Sequence, residues 1–128
     1  MLLDILPGPC AFCPYRKDVP SGVWAEEEYR KLPPYDSETW AQPLEAFACH
    51  ATPEKLCHGW AVCHNSRGGS RHLIALRLLG IGDVPEPGVP LFSSGQEACD
   101  HGMKQVKQPR KPALEAVKKL KKKYRRLK

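Results

Sequence analysis

The sequence predicts a small, irregular α+β domain, with short strands and short helices gathered around a cysteine-rich metal site and an amphipathic basic helix at the C-terminal end. Three observations predict it. Thirteen prolines and ten glycines in 128 residues cut regular structure into short pieces. Six cysteines fall into a close pair, Cys10-x-x-Cys13, and a cluster, with Cys99 beyond it. The cluster is FACHATPEKLCHGWAVCH, Phe47 to His64, in which Cys49, Cys57 and Cys63 are each followed by a histidine. From Pro112 onward Leu114, Val117, Leu120, Tyr124 and Leu127 recur at three- and four-residue spacing with lysines and arginines between them, the pattern of a helix with one apolar stripe.

The elements follow in order. Ser21 suits the N-cap of a helix running to about Leu32, with Glu26, Glu27 and Glu28 early, Arg30 and Lys31 late, and Pro33-Pro34 as its stop. Trp24, Tyr29 and Leu32 would form its buried side. Tyr35 to Pro43 reads as a loop. Phe47-Ala48-Cys49 and Trp60-Ala61-Val62-Cys63 read as two short strands on either side of a turn at Thr52-Pro53-Glu54-Lys55. Asn65 to Ser70 is a glycine-containing turn, and Ser70 would cap the helix RHLIALRLLGIG, whose leucines cover more than one face. That helix is expected to be the most buried element, ended by Gly80 or Gly82. An extended connector, DVPEPGVP, leads to Ser94-Gly95-Gln96-Glu97, a capping box that opens a short helix closed by Gly102. The division expected is a metal-stabilised cysteine-rich domain over 1–102 and a basic helical tail over 103–128.

Thiolates bind soft and borderline metals, and a structural zinc site takes four donors from Cys and His. In an extended strand adjacent residues face opposite ways, so each Cys-His dipeptide offers an ion one side chain of its two. The economical donor set is therefore Cys10, Cys13, Cys49 and Cys57, with Cys63 or His64 the replacement for one of the last two. Zinc is the first choice of metal because Cys/His mixtures suit it. An iron-sulfur cluster is the alternative, since a four-thiolate set with Cys13-Pro14 suits that as well. Other readings of the same residues are buried inert thiols and disulfides. Disulfides would need an oxidising compartment, and MLLDILPGPC, with its acid at Asp4 and its break at Pro7, does not read as a secretory signal, so a cytoplasmic location is expected. No apolar run is long enough to span a membrane. Cys99 is read as a helix-packing or exposed thiol, with a metal-ligand role the lesser alternative and His101 beside it given no role, and His58 and His72 are read as packing or cap-region residues.

Charge is unevenly spread. Residues 104–128 hold twelve of the 20 Lys and Arg against the single acid Glu115, so the tail carries +11 and the body −5. Lys118, Lys119, Lys121, Lys122, Lys123, Arg125 and Arg126 could meet an anionic partner, either nucleic acid or an acidic protein surface. The other use of such a helix is docking its apolar stripe on its own body. Membrane-surface association is the smaller third option. No phosphate-binding glycine loop, paired carboxylates or H-E-x-x-H helix is present, and sequence-adjacent Cys-His pairs seldom align as nucleophile and base. A binding or regulatory module is expected rather than an enzyme.

Several motifs occur together: Cys10-x-x-Cys13-Pro14-Tyr15-Arg16, Asp18-Val19-Pro20-Ser21-Gly22-Val23-Trp24, Tyr35-Asp36, Gln42-Pro43, Phe47-x-Cys49-His50, Cys57-x-Gly59-Trp60, Cys63-His64, Ala75-Leu76-Arg77 and Pro90-Leu91-Phe92-Ser93-Ser94-Gly95. In these the chain resembles a family of small cysteine-rich proteins of unknown function found in actinobacteria and in the phages that infect them. The resemblance covers most of the chain and implies a recurring framework at Cys10, Cys13, Cys49 and Cys57, in a cytoplasm that is the host's if the chain is phage-encoded. It implies no reaction, and Cys99 departs from the small residue usual there.

Overall fold

A computed structural model describes residues 4–65, 73–81, 84 and 86–124. Its described elements are five helices and a two-stranded parallel sheet, an irregular α+β architecture. In the sheet β1 (Asp4–Ile5) pairs with β2 (Lys55–Leu56), Asp4 opposite Lys55 and Ile5 opposite Leu56. Among the described residues no helix is long and apolar enough to cross a membrane.

The helical scaffold centres on α4 (Gly95–Met103). Its start is the capping box expected: Ser94 Oγ accepts from the Glu97 N–H at 3.1 Å, and Glu97 reaches back to the Ser93 and Ser94 hydroxyls. A second cap comes from far away in sequence. Asp36 accepts the N–H groups of Gly95 and Gln96, at 2.7 and 2.8 Å, so a carboxylate sits where the helix presents unpaired donors and positive potential. Gly102 does not close this helix, which runs on to Met103. It is instead a contact point, since a Cβ there would run into the Tyr29 ring, and one at Gly95 would run into the Leu32 carbonyl.

The helix expected from Ser21 to about Leu32 shrinks to α1 (Glu26–Tyr29), followed by a 3-10 turn at Pro33–Asp36 and a second at Thr39–Ala41. The cause is local. Gly22 has φ +83°, which no helix tolerates, and Ser21 is engaged elsewhere, its hydroxyl donating to Gly102 O at 2.9 Å while accepting the Gln105 N–H. Ser21 therefore ties the chain's entry to the end of α4 rather than capping a helix.

Trp60-Ala61-Val62-Cys63, expected as a strand, lies within α2 (His58–Asn65). Four residues of mixed β-propensity carry no decisive period, and burial decides: Trp60, Ala61 and His58 are wholly inaccessible. Phe47-Ala48-Cys49 is likewise not a full strand. Only Ala48 forms a bridge, antiparallel to Leu56, closed by Cys49 N–H to Lys55 O and Cys57 N–H to Phe47 O, each 2.9 Å. The turn between them falls where expected, with the Lys55 N–H on Thr52 O at 2.9 Å.

Helix α3 (Ile74–Leu79) ends at Gly80, φ +75°, the left-handed cap that glycine adopts without strain. It is not buried all round: Leu73, Ala75 and Leu76 face the core, while Leu78 is exposed. The most buried helix is α2. Ser70, His72 and Gly82 lie outside the described residues. The C-terminal helix α5 (Lys111–Tyr124) forms as its stripe requires and docks on the body. Ala113 is buried against Val19 and Val23, with Trp24, Ala116 and Val117 around them. Leu114, counted with the stripe, is 53% exposed, because the docked side is narrower and made of smaller residues.

Replacing Gly102 with Ala should lower unfolding stability by about 1–3 kcal/mol through overpacking against Tyr29. The observable is a lower urea midpoint at unchanged slope. An unchanged midpoint would mean that Tyr29 does not lie against this helix.

Candidate metal centre

The close cysteine pair sits on a tight turn, Cys13 N–H bonding to Cys10 O at 3.1 Å and Arg16 N–H to Cys13 O at 3.0 Å. The second pair belongs to the 47–57 hairpin, whose cross-strand bonds set Cys49 opposite Lys55 and Cys57, just before α2, opposite Phe47. Turn and hairpin then meet. The Cys13 and Cys57 sulfurs are 3.7 Å apart, and the Cys10 side chain interacts with that of Cys49.

Backbone donors converge on these sulfurs. Cys10 accepts from Phe12, Cys13 from Tyr15 and Gly59, Cys49 from Ala51 and Thr52, and Cys57 from the Trp60 N–H at 3.4 Å. Such donors favour thiolate over thiol. The remaining shifts follow from shared protons: Cys57 holds Cys13 down and is itself pushed up, and Cys10 holds Cys49 down at about 6 while its own thiol is pushed up. Burial raises all four, and the charges of Cys13, Cys49 and Cys57 act on one another, so the four lie within electrostatic reach.

These residues suit a tetrahedral ion. Two sulfurs bound at roughly 2.3 Å to one such ion lie about 3.8 Å apart, close to the Cys13–Cys57 spacing. Gly59 leaves the space this needs, since a Cβ there would come within 2.5 Å of Cys13 Sγ and 2.9 Å of Tyr15 Cβ. Against this, among the described residues no three Cys, His, Asp or Glu side chains converge tightly enough to enclose an ion as they stand. The pairs interact but are not drawn onto one point.

The other residues read as possible donors are placed as follows. Cys63 is buried on α2, where its charge bears on the Tyr15 hydroxyl. His64 is fully buried, with Tyr15 and Asp36 beside it. Its Nε2 is 2.8 Å from Tyr15 Oη, and its Nδ1 is 3.3 Å from Asp36 Oδ1. Asp36, already accepting two N–H groups, can only accept, which places a proton on Nδ1. The Tyr15 hydroxyl, kept protonated first by burial, then donates to Nε2. Cys99 is buried in the core on α4, its thiol raised by burial, and His101 bonds to Val19 O and stacks on Phe92. His58 is buried at the start of α2.

Two groupings escape sequence reasoning. The Asp36–His64–Tyr15 line joins residues that share no motif. Glu28 and His50 also meet, Oε1 to Nε2 at 2.5 Å, with Trp24 stacked 4.7 Å from the imidazole. Burial lowers the His50 pKa and the Glu28 partner opposes it. This pair lines a cleft of about 630 Å³ together with Cys49, Phe47, Tyr35 and Lys31. Only the acids of the first helix and the Cys49-His50 dipeptide hinted at it.

On the other side, Lys119, Lys122 and Lys123 of α5 border a hollow floored by Ala11 and Phe12, the residues between Cys10 and Cys13. Lys118 and Lys121 are exposed. Arg125 and Arg126 lie outside the described residues.

Tyr15→Phe should cost about 1–3 kcal/mol, because His64 Nε2 loses its hydroxyl partner in a fully buried place. Urea unfolding of the variant reads this directly. A loss within error of zero would show that the hydroxyl is not held as described.

No curated protein and no solved structure matches the chain. The chain belongs to a family of unknown function (DUF6283), whose model matches residues 5–122.

Proposed function

We propose that the chain is a small metal-binding module, with zinc held by Cys10, Cys13, Cys49 and Cys57, that serves as a binding or regulatory protein rather than an enzyme. The observation that supports it is the meeting of a turn and a hairpin, each presenting two sulfurs to backbone N–H donors, with one cross pair at 3.7 Å. Bound zinc would supply folding energy in a closed four-thiolate site. The residues around it do the rest. Gly59 leaves room for Cys13, Trp24 donates its indole N–H to Phe12 O at 2.8 Å and so fixes the turn, and Trp60 packs behind Cys57.

A four-thiolate zinc site carries net negative charge, and Arg16 with the lysines of α5 stands nearby. The docked side of α5 uses Ala113, Ala116 and Val117, leaving exposed lysines on its outer side for an anionic partner, of which nucleic acid is the one we propose. The actinobacterial or phage setting and a cytoplasmic location belong to the same proposal. An iron-sulfur redox or sensor protein is the second reading, favoured by the all-sulfur donor set.

Protein purified without air should contain about one zinc per chain and be colourless. Cys13→Ser and Cys57→Ser should each lose it, whereas His64→Asn should lower stability but retain it. Iron with visible absorption would select the second reading, and absence of both metals in stoichiometric amount would sink the proposal. For the helix, changing Lys118, Lys119, Lys121, Lys122 and Lys123 to Gln should abolish salt-sensitive retention on immobilised single-stranded DNA. No retention of the unaltered protein at low salt would remove nucleic acid as its partner.

A further inference from the structure

We propose that the thiol cluster is a site of reversible oxidation by hydroperoxides in which disulfides form across the two segments, Cys10 to Cys49 and Cys13 to Cys57, and not within the Cys10-x-x-Cys13 turn. The pairing is the structure's own. Cys13 Sγ lies 3.7 Å from Cys57 Sγ, and the Cys10 side chain interacts with that of Cys49. Closing 3.7 Å to the roughly 2.05 Å of a disulfide asks for a small side-chain rotation. Within the turn, by contrast, each of the two sulfurs is directed to a partner on the hairpin.

Access runs through the cleft between α1 and the 43–50 segment. Cys49 is one of its lining residues, and at about 630 Å³ it admits a small hydroperoxide. Cys10, half-buried while the other five cysteines are buried, stands on the Cys49 sulfur as the resolving group. The chemistry balances in two steps. The Cys49 sulfur attacks the distal peroxide oxygen, the O–O bond breaks, and the thiol proton leaves with the alcohol, giving Cys49 sulfenic acid and ROH. Cys10 sulfur then attacks that sulfenic sulfur, the S–O bond breaks, and water departs with the Cys10 proton. Two thiols have lost two electrons and the hydroperoxide has gained them. A second equivalent oxidises Cys13 and Cys57 in the same way.

The pairing of the thiols stands without an ion, and only the fate of an ion rests on the metal reading. If zinc is bound, the first disulfide removes two of its four donors and zinc is released.

The test uses the full chain, reduced, in a zinc-loaded sample and in one stripped by a chelator. Each receives one and then two equivalents of hydrogen peroxide, is blocked with iodoacetamide, digested and mapped by mass spectrometry. Expected are two thiols lost per peroxide, a Cys10–Cys49 bond first, a Cys13–Cys57 bond second, and full recovery with dithiothreitol. In Cys10→Ser a Cys49 sulfenic acid trapped by dimedone should replace the first bond. A Cys10–Cys13 bond as the main product, scrambled bonds, or no thiol loss at two equivalents would each overturn the proposal, and mapping of the unaltered chain decides even if the variant misfolds. Cross bonds formed in a protein that never binds zinc would uphold this proposal while the metal reading fails, and zinc binding with a Cys10–Cys13 product would do the reverse.

Discussion

A single line of polar groups, from the half-buried Asp36 through the fully buried His64 to the fully buried Tyr15, joins the helical part of the molecule to its thiols. At one end the Asp36 carboxylate satisfies the first donors of α4. At the other the Tyr15 hydroxyl fixes the residue that follows the Cys10-x-x-Cys13-Pro14 turn, and the Tyr15 N–H is itself directed at Cys13. A hydrogen bond contributes about 1 kcal/mol net, but leaving the buried His64 or Tyr15 without its partner costs more than that, so the line acts as a positional constraint more than as a source of stability. It sets α2, which carries His64, at a fixed depth between α4 and the turn. That depth is what leaves Gly59 against Cys13.

The second constraint is electrostatic. Four sulfurs within reach of one another cannot all be thiolates without a cation, and the N–H groups aimed at them favour thiolate. Within each cross pair one thiol is raised and the other lowered. A divalent cation or a two-electron oxidant would each displace the thiol protons that remain. Both act on the same cross pairs, which is why metal binding and disulfide formation would compete.

Sequence and structure agree where a local signal has a single physical reading. Ser94 with Glu97 announces the start of α4, Gly80 the end of α3, and the spacing of Leu114, Val117, Leu120 and Tyr124 among lysines announces α5, though not that Ala113 and Ala116 rather than Leu114 lie on its docked side. They part where tertiary context overrides local preference. Trp60 to Cys63 looks like strand but is pulled into helix by the burial of Trp60 and Ala61, and the segment after Ser21 cannot stay helical because Gly22 must pass within van der Waals reach of Gln105. For the site, the cysteine spacing marked Cys10 and Cys13 as neighbours on one turn, which is a short-range property. Which thiol faces which was not legible, because the partners of Cys10 and Cys13 are set by the docking of the hairpin. The contacts of His64 with Tyr15 and Asp36, and of His50 with Glu28, were hidden for the same reason: each joins segments whose proximity exists only in the fold.

The C-terminal helix shows how charge and packing divide one element between two tasks. A helix with five lysines between 118 and 123 repels itself and is a poor candidate for independent folding, so what order it has comes from Ala113, Ala116 and Val117 against Val19, Val23 and Trp24. Trp24 is shared: one part of its ring system supports α5, while its indole N–H holds Phe12 O in the cysteine turn and its face stacks on His50. Any change at the thiols that moves Phe12 must therefore be felt by Trp24 and, through it, by the seat of α5. A single indole thus touches the cysteine turn, His50 and the seat of α5, and an event at the cysteines would have through it a route to the lysines.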